Sequence, residues 1–385
     1  MTYELSSTSW GEEEIAALQR VIRSGRFTMG EQVRLFEEAF AAKFGMKHAI
    51  MTNSGSSANL VGVAALSYRA ARPLQRGDEV IVPAISWATT FHPLQQYGLK
   101  LRFVDVELET LNMDVSRLEA ALTTRTRMVM AVSILGNPAA LDVMREFCDR
   151  HGLILFEDNC ESMGASLGGR ACGTFGDVNT FSTFYSHHIS TMEGGVLVTN
   201  DTEIDHLARA IRNHGWARDL PADSTLGTRQ DDPFFEAYRF VLPGYNVRPL
   251  EMAGAVGVEQ LKKLDAMIAI RRANAALFVK LFKDDPRFII QREHGVSSWF
   301  SFTIILNPAV PLDRAQVMAA LRNANIEFRM ITGGCFPQHE AIKYFDYDLA
   351  GGIENATIAH TRGFFVGNHP RDLTAELTHL RRVLE

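Results

Sequence analysis

Six short apolar runs, separated by helical stretches, constrain this chain more than any other feature. They read DEVIVPAIS, LRFVDV, RMVMAVSIL, GLILFED, VNTFSTF and GVLVTN. They are rich in Val, Ile and Phe and show no clean polar–apolar alternation, the mark of strands buried on both faces in a parallel sheet. Between them lie helical patterns such as DVSRLEAALTT and ALDVMREFCDRHG, the second ending at Gly152 in a helix-stop position. Strand, helix and strand in turn predict an open α/β sheet with helices on both sides.

The pattern changes near residue 245. GAVGVEQLKKLDAMIAIRRANAALFVKLF reads as one long helix or two joined ones. The strand WFSFTIIL, the helix RAQVMAALRNAN, a short strand IEFRMI and the terminal helix AELTHLRRVL follow. We therefore expect a large α/β domain over 1–245, including an N-terminal arm, and a small α+β domain over 246–385. At the N-terminus, Ser9 and Glu12 have capping-box spacing, and Ile15, Leu18 and Ile22 recur at helical intervals.

The 385 residues suffice for two such cores. A net charge of −6 argues against nucleic-acid binding. No apolar run reaches membrane-span length and the N-terminus lacks a signal-peptide pattern, so a cytoplasmic protein is expected. The four cysteines, Cys148, Cys160, Cys172 and Cys335, form no CxxC pair. Buried free thiols are the expectation, and no metal site is predicted.

In open α/β sheets the ligand lies at the carboxyl ends of the strands, and several polar residues fall there. Gly55, Ser56 and Ser57, in TNSGSSANL, precede a helical stretch predicted to begin near Ala58. Such a turn suits a phosphate, and equally suits a simple helix cap. Trp87 follows the strand ending at Pro83; it suits stacking on a planar ring or a place in the core. Asp158 ends an apolar run, with Glu161 three residues on. A carboxylate there can pair with a pyridinium nitrogen or cap a helix. Ser182 ends another run, and the polar loop Ser186-His187-His188 leads to the turn Glu193-Gly194-Gly195. Asn246 and Arg248 open the second long helical region, and His214 and Arg218 lie in NHGWARD. Arginine suits diphosphate recognition; a surface loop accounts for each residue taken singly.

As a set, their order and spacing resemble the DegT/DnrJ/EryC1/StrS sugar aminotransferase family of fold type I pyridoxal-phosphate enzymes. The resemblance covers essentially the whole chain. It is carried by GEQVRLFEEAFAAKFGMKHAIMTNSGSSAN, EDNCESMGA, the FS…GG segment and GYNVRPLEMAGAVGVEQLKKL. It implies an aspartate-aminotransferase-like α/β fold with a mostly parallel central sheet and a small C-terminal α+β domain.

The family normally carries a lysine in the loop before the Gly-Gly turn, and this chain has His187 there. A lysine binds the cofactor covalently; histidine cannot, but it remains a general base. A histidine at this place resembles the sugar 3-dehydratase branch. That branch implies pyridoxamine 5′-phosphate and pyridoxal 5′-phosphate (PMP and PLP) held non-covalently, and removal of the C3 hydroxyl of a 4-keto-6-deoxy nucleotide sugar. GDP-linked sugar on a colitose-type route and L-glutamate as amino donor are the implied substrates. A CDP- or TDP-linked sugar, amino transfer to the sugar, and a non-catalytic scaffold are the alternatives. Iron–sulfur relatives use a close Cys-x-Cys pair, which this chain lacks; neither a cluster nor a reductase partner is expected.

The resemblance also implies roles. Gly55, Ser56, Ser57 and Ser182 would hold the phosphate, Trp87 would stack on the ring, and Glu161 would bond near the ring hydroxyl. Asn246 would reach the phosphate from a second subunit of a homodimer with shared active sites. For the nucleotide sugar, Arg218, Arg248, His214, the segment Gly25-Arg26-Phe27-Thr28 and Glu327, at a guanine edge, are the candidates.

Overall fold

The computed structural model describes residues 2–385. Helices α1 (Glu12–Ser24) and α2 (Glu31–Phe44) precede strand β1 (His48–Thr52), and α3 (Gly55–Tyr68) follows it. Next come β2 (Glu79–Pro83), α4 (Ala88–Gln96), β3 (Lys100–Val104), the short α5 (Leu118–Ala121), β4 (Thr126–Val132), α6 (Leu141–His151) and β5 (Ile154–Asp158). A small hairpin of β6 (Ser166–Leu167) and β7 (Arg170–Ala171) leads to β8 (Val178–Ser182), β9 (Gly195–Thr199), α7 (Thr202–Arg212) and the single turn α8 (Pro233–Glu236).

The chain then forms one 32-residue helix, α9 (Glu251–Phe282), followed by β10 (Phe288–Ile290), β11 (Ser301–Leu306) and α10 (Arg314–Asn323). It closes with β12 (Tyr347–Leu349), α11 (Glu354–Arg362), β13 (Gly363–Gly367) and α12 (Thr374–Val383).

The large sheet has the order β1-β9-β8-β5-β4-β2-β3-β12. All its pairings are parallel except those of β9, which runs against β1 and β8. Strands β2, β5, β8 and β9 are buried along their whole length, as their unalternating sequences require. Register aligns Val132, Asp158 and Thr180 across β4, β5 and β8, and Ser182 with Gly195 across β8 and β9. The polar residues that end the apolar runs thus share one edge. Helix α3 lies tight on this sheet: a methyl at Gly62 would strike the Phe156 ring and Val178. Overpacking of this kind costs about 1–3 kcal/mol, so Gly62 fixes how α3 directs its N-terminus over the strand ends.

A second core gathers around the antiparallel sheet β10-β11-β13 with α9, α10 and α12. Two segments cross the boundary expected at residue 245. Tyr3 is fully buried in this second core, its hydroxyl donating to the Gly367 carbonyl at 2.5 Å, and β12 joins the large sheet beside β3.

Local expectations need three corrections. Helix α1 has no full capping box: its N-cap is Gly11, whose N–H donates to Glu14 at 2.7 Å with no side chain to reciprocate, and Ser9 instead donates to Gln260. Helix α3 begins at Gly55, three residues before the predicted start. IEFRMI forms no strand and makes only single bridges, Ile326 to Tyr3 and Arg329 to Phe365. The residues on either side of it, Asn325 and Thr332, are left-handed, which cuts an extended run short at both ends. Among the described residues, no helix is long and apolar enough to cross a membrane.

Candidate active site

A cavity of about 590 Å³ opens over the carboxyl ends of β4, β5 and β8, between the large sheet and the loop Arg329–Gly333. Gly55, Ser56, Trp87, Asp158, Glu161, Ser182 and His187 all line it. The sequence thus scattered over more than 130 residues converges on one pocket.

The phosphate-like corner is the start of α3. Ser54 caps the helix by accepting from the Ser57 N–H at 3.0 Å. The first N–H groups of a helix have no partner inside it, so those of Gly55 and Ser56 are offered at the positive end of the helix dipole. Ser56 donates to Thr89 at 2.8 Å. The Ser57 hydroxyl faces Ser54 and lies outside the cavity lining. Close approach explains the glycines here. A side chain on Gly55 would strike Ser182, and one on Gly195 would strike the Ser54 carbonyl and the Gly55 nitrogen.

Asp158 is buried and fully engaged on its inner side. Its Oδ2 accepts from Asn59 and Thr90, each at 2.8 Å, and its Oδ1 from the Cys160 N–H at 3.1 Å. Thr180 donates to the Asn59 carbonyl oxygen at 2.6 Å, and Ser86 shares a hydrogen bond with Thr90. Each charge-assisted bond of this kind is worth about 1.5–3 kcal/mol, so the shell holds the carboxylate in one orientation. Asn59 and Thr90 escaped the sequence reading. Helical spacing offered the signal: Asn59 is four residues after Gly55, and Thr90 is three after Trp87.

Glu161 accepts from the Leu135 N–H at 2.9 Å and the Thr332 hydroxyl at 3.3 Å. Burial, with the nearby Asp158 charge adding, pushes its carboxyl up to about 7. Trp87 stands at the rim with 58% of its surface exposed, so it serves no core. Arg329, also missed by sequence reading, is the lone cation lining the cavity among the described residues, against three carboxylates, Asp158, Glu161 and Glu193.

His187 sits in a loop closed by Thr183 and Thr191, with its own N–H bonded to the Phe184 carbonyl at 2.9 Å. Its Nδ1 is buried without a hydrogen-bond partner. Burial, with Arg271 adding, pushes the imidazole down to about 3, so it is neutral. His188 turns away from the cavity to the Ser298 carbonyl at 3.3 Å and is buried.

The other candidates lie outside this cavity. The Asn246 side chain is exposed and accepts from Arg248 Nε at 3.0 Å. His214 is exposed and has a left-handed backbone, and Arg218 stacks over Trp216 at 5.0 Å. Gly25, Arg26, Phe27 and Thr28 are exposed beside Leu250. Glu327 accepts from the Leu5 N–H at 2.9 Å and lines a separate shallow depression that shares Arg329 with the main cavity.

The residues present fit PLP or PMP. An anion cradle, an exposed indole and a buried, oriented carboxylate surround one space, and His187, whose Nδ1 is buried without a partner, also lines it. Fold and site together define a fold type I PLP enzyme.

Comparison with known proteins agrees. The model of the DegT/DnrJ/EryC1/StrS aminotransferase family matches residues 8–383, and the chain belongs to that family. It is 48% identical over 387 residues to GDP-4-keto-6-deoxy-D-mannose 3-dehydratase of Yersinia pseudotuberculosis, covering 100% of this chain and 98% of the relative. Among solved structures it superposes with a TM-score of 0.98, at 48% identity and full coverage of both chains, on a GDP-4-keto-6-deoxymannose-3-dehydratase mutant with bound GDP-perosamine. The same figures hold for that enzyme with a trapped PLP–glutamate geminal diamine.

Proposed function

We propose that this chain is a PMP- and PLP-dependent 3-dehydratase acting on GDP-4-keto-6-deoxy-D-mannose. It removes the C3 hydroxyl to give the 3,6-dideoxy-4-keto sugar with release of ammonia, and glutamate restores PMP. The observation that carries this reading is His187, lining the cavity that holds the phosphate cradle and Asp158 where the family keeps its lysine. Full-length similarity to enzymes named for this substrate supports it.

Bound PMP would supply an amine for the C4 ketone and a ring able to accept electrons. Gly55, Ser56 and Ser182 hold its phosphate, and Ser57 contributes through the helix start. Trp87 covers the ring, and Glu161 faces the ring hydroxyl. Asp158, fixed by Asn59 and Thr90, keeps the ring nitrogen protonated. His187 takes a proton at carbon C4′ and gives one to the departing C3 hydroxyl. Burial holds the imidazole in its neutral, proton-accepting form. The neutral imidazole cannot tie the cofactor covalently, so the amine form stays available.

The enzyme works as a cytoplasmic homodimer with no reductase partner. Asn246 and Gly25–Thr28 then serve the partner's cavity, which accounts for their exposure outside this chain's own, while Arg218 and Arg248 hold the nucleotide phosphates and His214 lies near the sugar. Glu327 meets the guanine edge.

Incubation of the PMP form with GDP-, CDP- and TDP-linked 4-keto-6-deoxy sugars tests the reading. Ammonia release and a product lacking one oxygen are expected with the GDP sugar. A stable amino sugar, or turnover confined to CDP or TDP sugars, would overturn it.

A further inference from the structure

His187 acts without the carboxylate partner that usually orients a catalytic imidazole. Neither Glu161 nor Glu193 bonds to the ring, although both line the cavity. The charged and titratable groups behind it are Arg271 on α9 and the neutral His188 beside it, on which Arg272 also acts. Arg271 Nη1 is occupied by the carbonyls of Phe300, at 3.1 Å, and Asn368. What touches the imidazole is aromatic. Phe300 presents a ring 5.0 Å away at 76°, and Phe184 another at 5.8 Å and 86°.

Phe300 reaches this place through two strained residues. Trp299 has φ +47° and Leu135 φ +51°, left-handed values that cost a side-chain-bearing residue about 1–3 kcal/mol. Such conformations persist only where the surroundings over-determine them, and here they do. The Phe300 N–H donates to the Leu135 carbonyl at 3.0 Å, and the Ser298 N–H to the Gly136 carbonyl at 2.9 Å. Asn368 donates to the Trp299 carbonyl at 2.7 Å. Gly136 packs against the Trp299 and Phe300 nitrogens so closely that a side chain there would collide with both. The same Leu135 donates its N–H to Glu161. One strained junction thus sets both the ring against His187 and the hydrogen bond on Glu161.

We propose that Phe300 is the positioning residue of His187: its ring fixes the orientation of the imidazole and keeps water from Nδ1. The inference rests on His187 being the base. The buried, partnerless Nδ1 and the lowered proton affinity of the ring support it.

The test uses the PLP-loaded holoenzyme with Phe300→Ala and the volume-sparing Phe300→Leu. The His187 titration is read by NMR on ¹⁵N-histidine protein, with the signal assigned through His187→Asn. Conversion of PLP to PMP by glutamate is followed across pH. We expect the His187 pKa to rise by about one unit or more in Phe300→Ala as water reaches the ring, and by less in Phe300→Leu. We also expect kcat of the glutamate half-reaction to fall about tenfold with little change in KM. If Phe300→Ala fails to fold, Phe300→Leu decides alone. Titration curves that superimpose on the wild type overturn the proposal, as does activity that falls only in step with urea stability. The NMR arm needs no turnover. Failure of every sugar to release ammonia would therefore count against the dehydratase reading and leave the Phe300 result standing.

Discussion

Asn59 donates its side-chain amide to Asp158 Oδ2 at 2.8 Å, linking the second turn of α3 to the end of β5 across 99 residues of sequence. Thr180 donates to the other end of the same amide. Both ends of Asn59 are therefore committed, and the helix whose N-terminus opens on the cavity also orients the carboxylate.

Replacing Asn59 with Leu removes one charge-assisted bond to Asp158 and leaves the Thr180 hydroxyl only its longer bond to the Glu157 carbonyl at 3.3 Å. We expect a loss of about 2 kcal/mol in urea unfolding and a slower glutamate half-reaction. Equilibrium unfolding and a cofactor absorbance assay check both. Unchanged values would show that Thr90 and Cys160 alone hold the carboxylate.

Trp87 should behave in the opposite way. At 58% exposure it contributes little to the core, so Trp87→Ala should change unfolding free energy by less than about 0.5 kcal/mol. A stacked ring is worth about 0.5–1.5 kcal/mol, and PLP affinity should therefore fall up to about tenfold. Cofactor titration by fluorescence, paired with thermal melts, measures the two separately.

Glu161 predicts a pH dependence with a definite sign. Its carboxyl is raised from 4.5 in the reference state to about 7 in the folded chain. The fold therefore favours the protonated form. Stability is lost as pH rises from about 4.5 through about 7, because the unfolded chain then ionises more readily than the folded one. Glu161→Gln removes that loss while keeping an acceptor for the Leu135 N–H. In cofactor-free protein the variant should gain about 3 kcal/mol relative to wild type at pH 8 and little at pH 5. Urea midpoints at the two pH values decide it; an equal gap at both contradicts the assignment.

Much of this site was legible because buried parallel strands must end in polar residues at one edge. Asp158 and Ser182 close the strands GLILFED and VNTFS, and the Gly-Gly turn opens GVLVTN. Other features depend on long-range docking that local pattern does not encode. Asn59 and Thr90 lie on helices that read as ordinary. Arg329 and Thr332 reach the cavity on a segment whose composition suggests a strand but whose backbone turns left-handed. Tyr347–Leu349 joins the large sheet as a short, half-exposed edge with no buried face to betray it. The start of α3 at Gly55 was hidden because glycine is a poor helix former. It is tolerated there because any side chain would collide with Ser182.

The central claim is that His187 moves the proton at C4′, and the direct measurement is single-turnover conversion of PLP to PMP by glutamate in His187→Asn. Asparagine keeps a polar group of similar size without a titratable nitrogen. Cofactor binding should be retained, since Gly55, Ser56, Ser182, Trp87 and Asp158 are untouched. The rate should fall by about 10²–10⁴-fold and lose its dependence on the imidazole's titration. A variant that binds PLP and converts it at the wild-type rate would contradict the account.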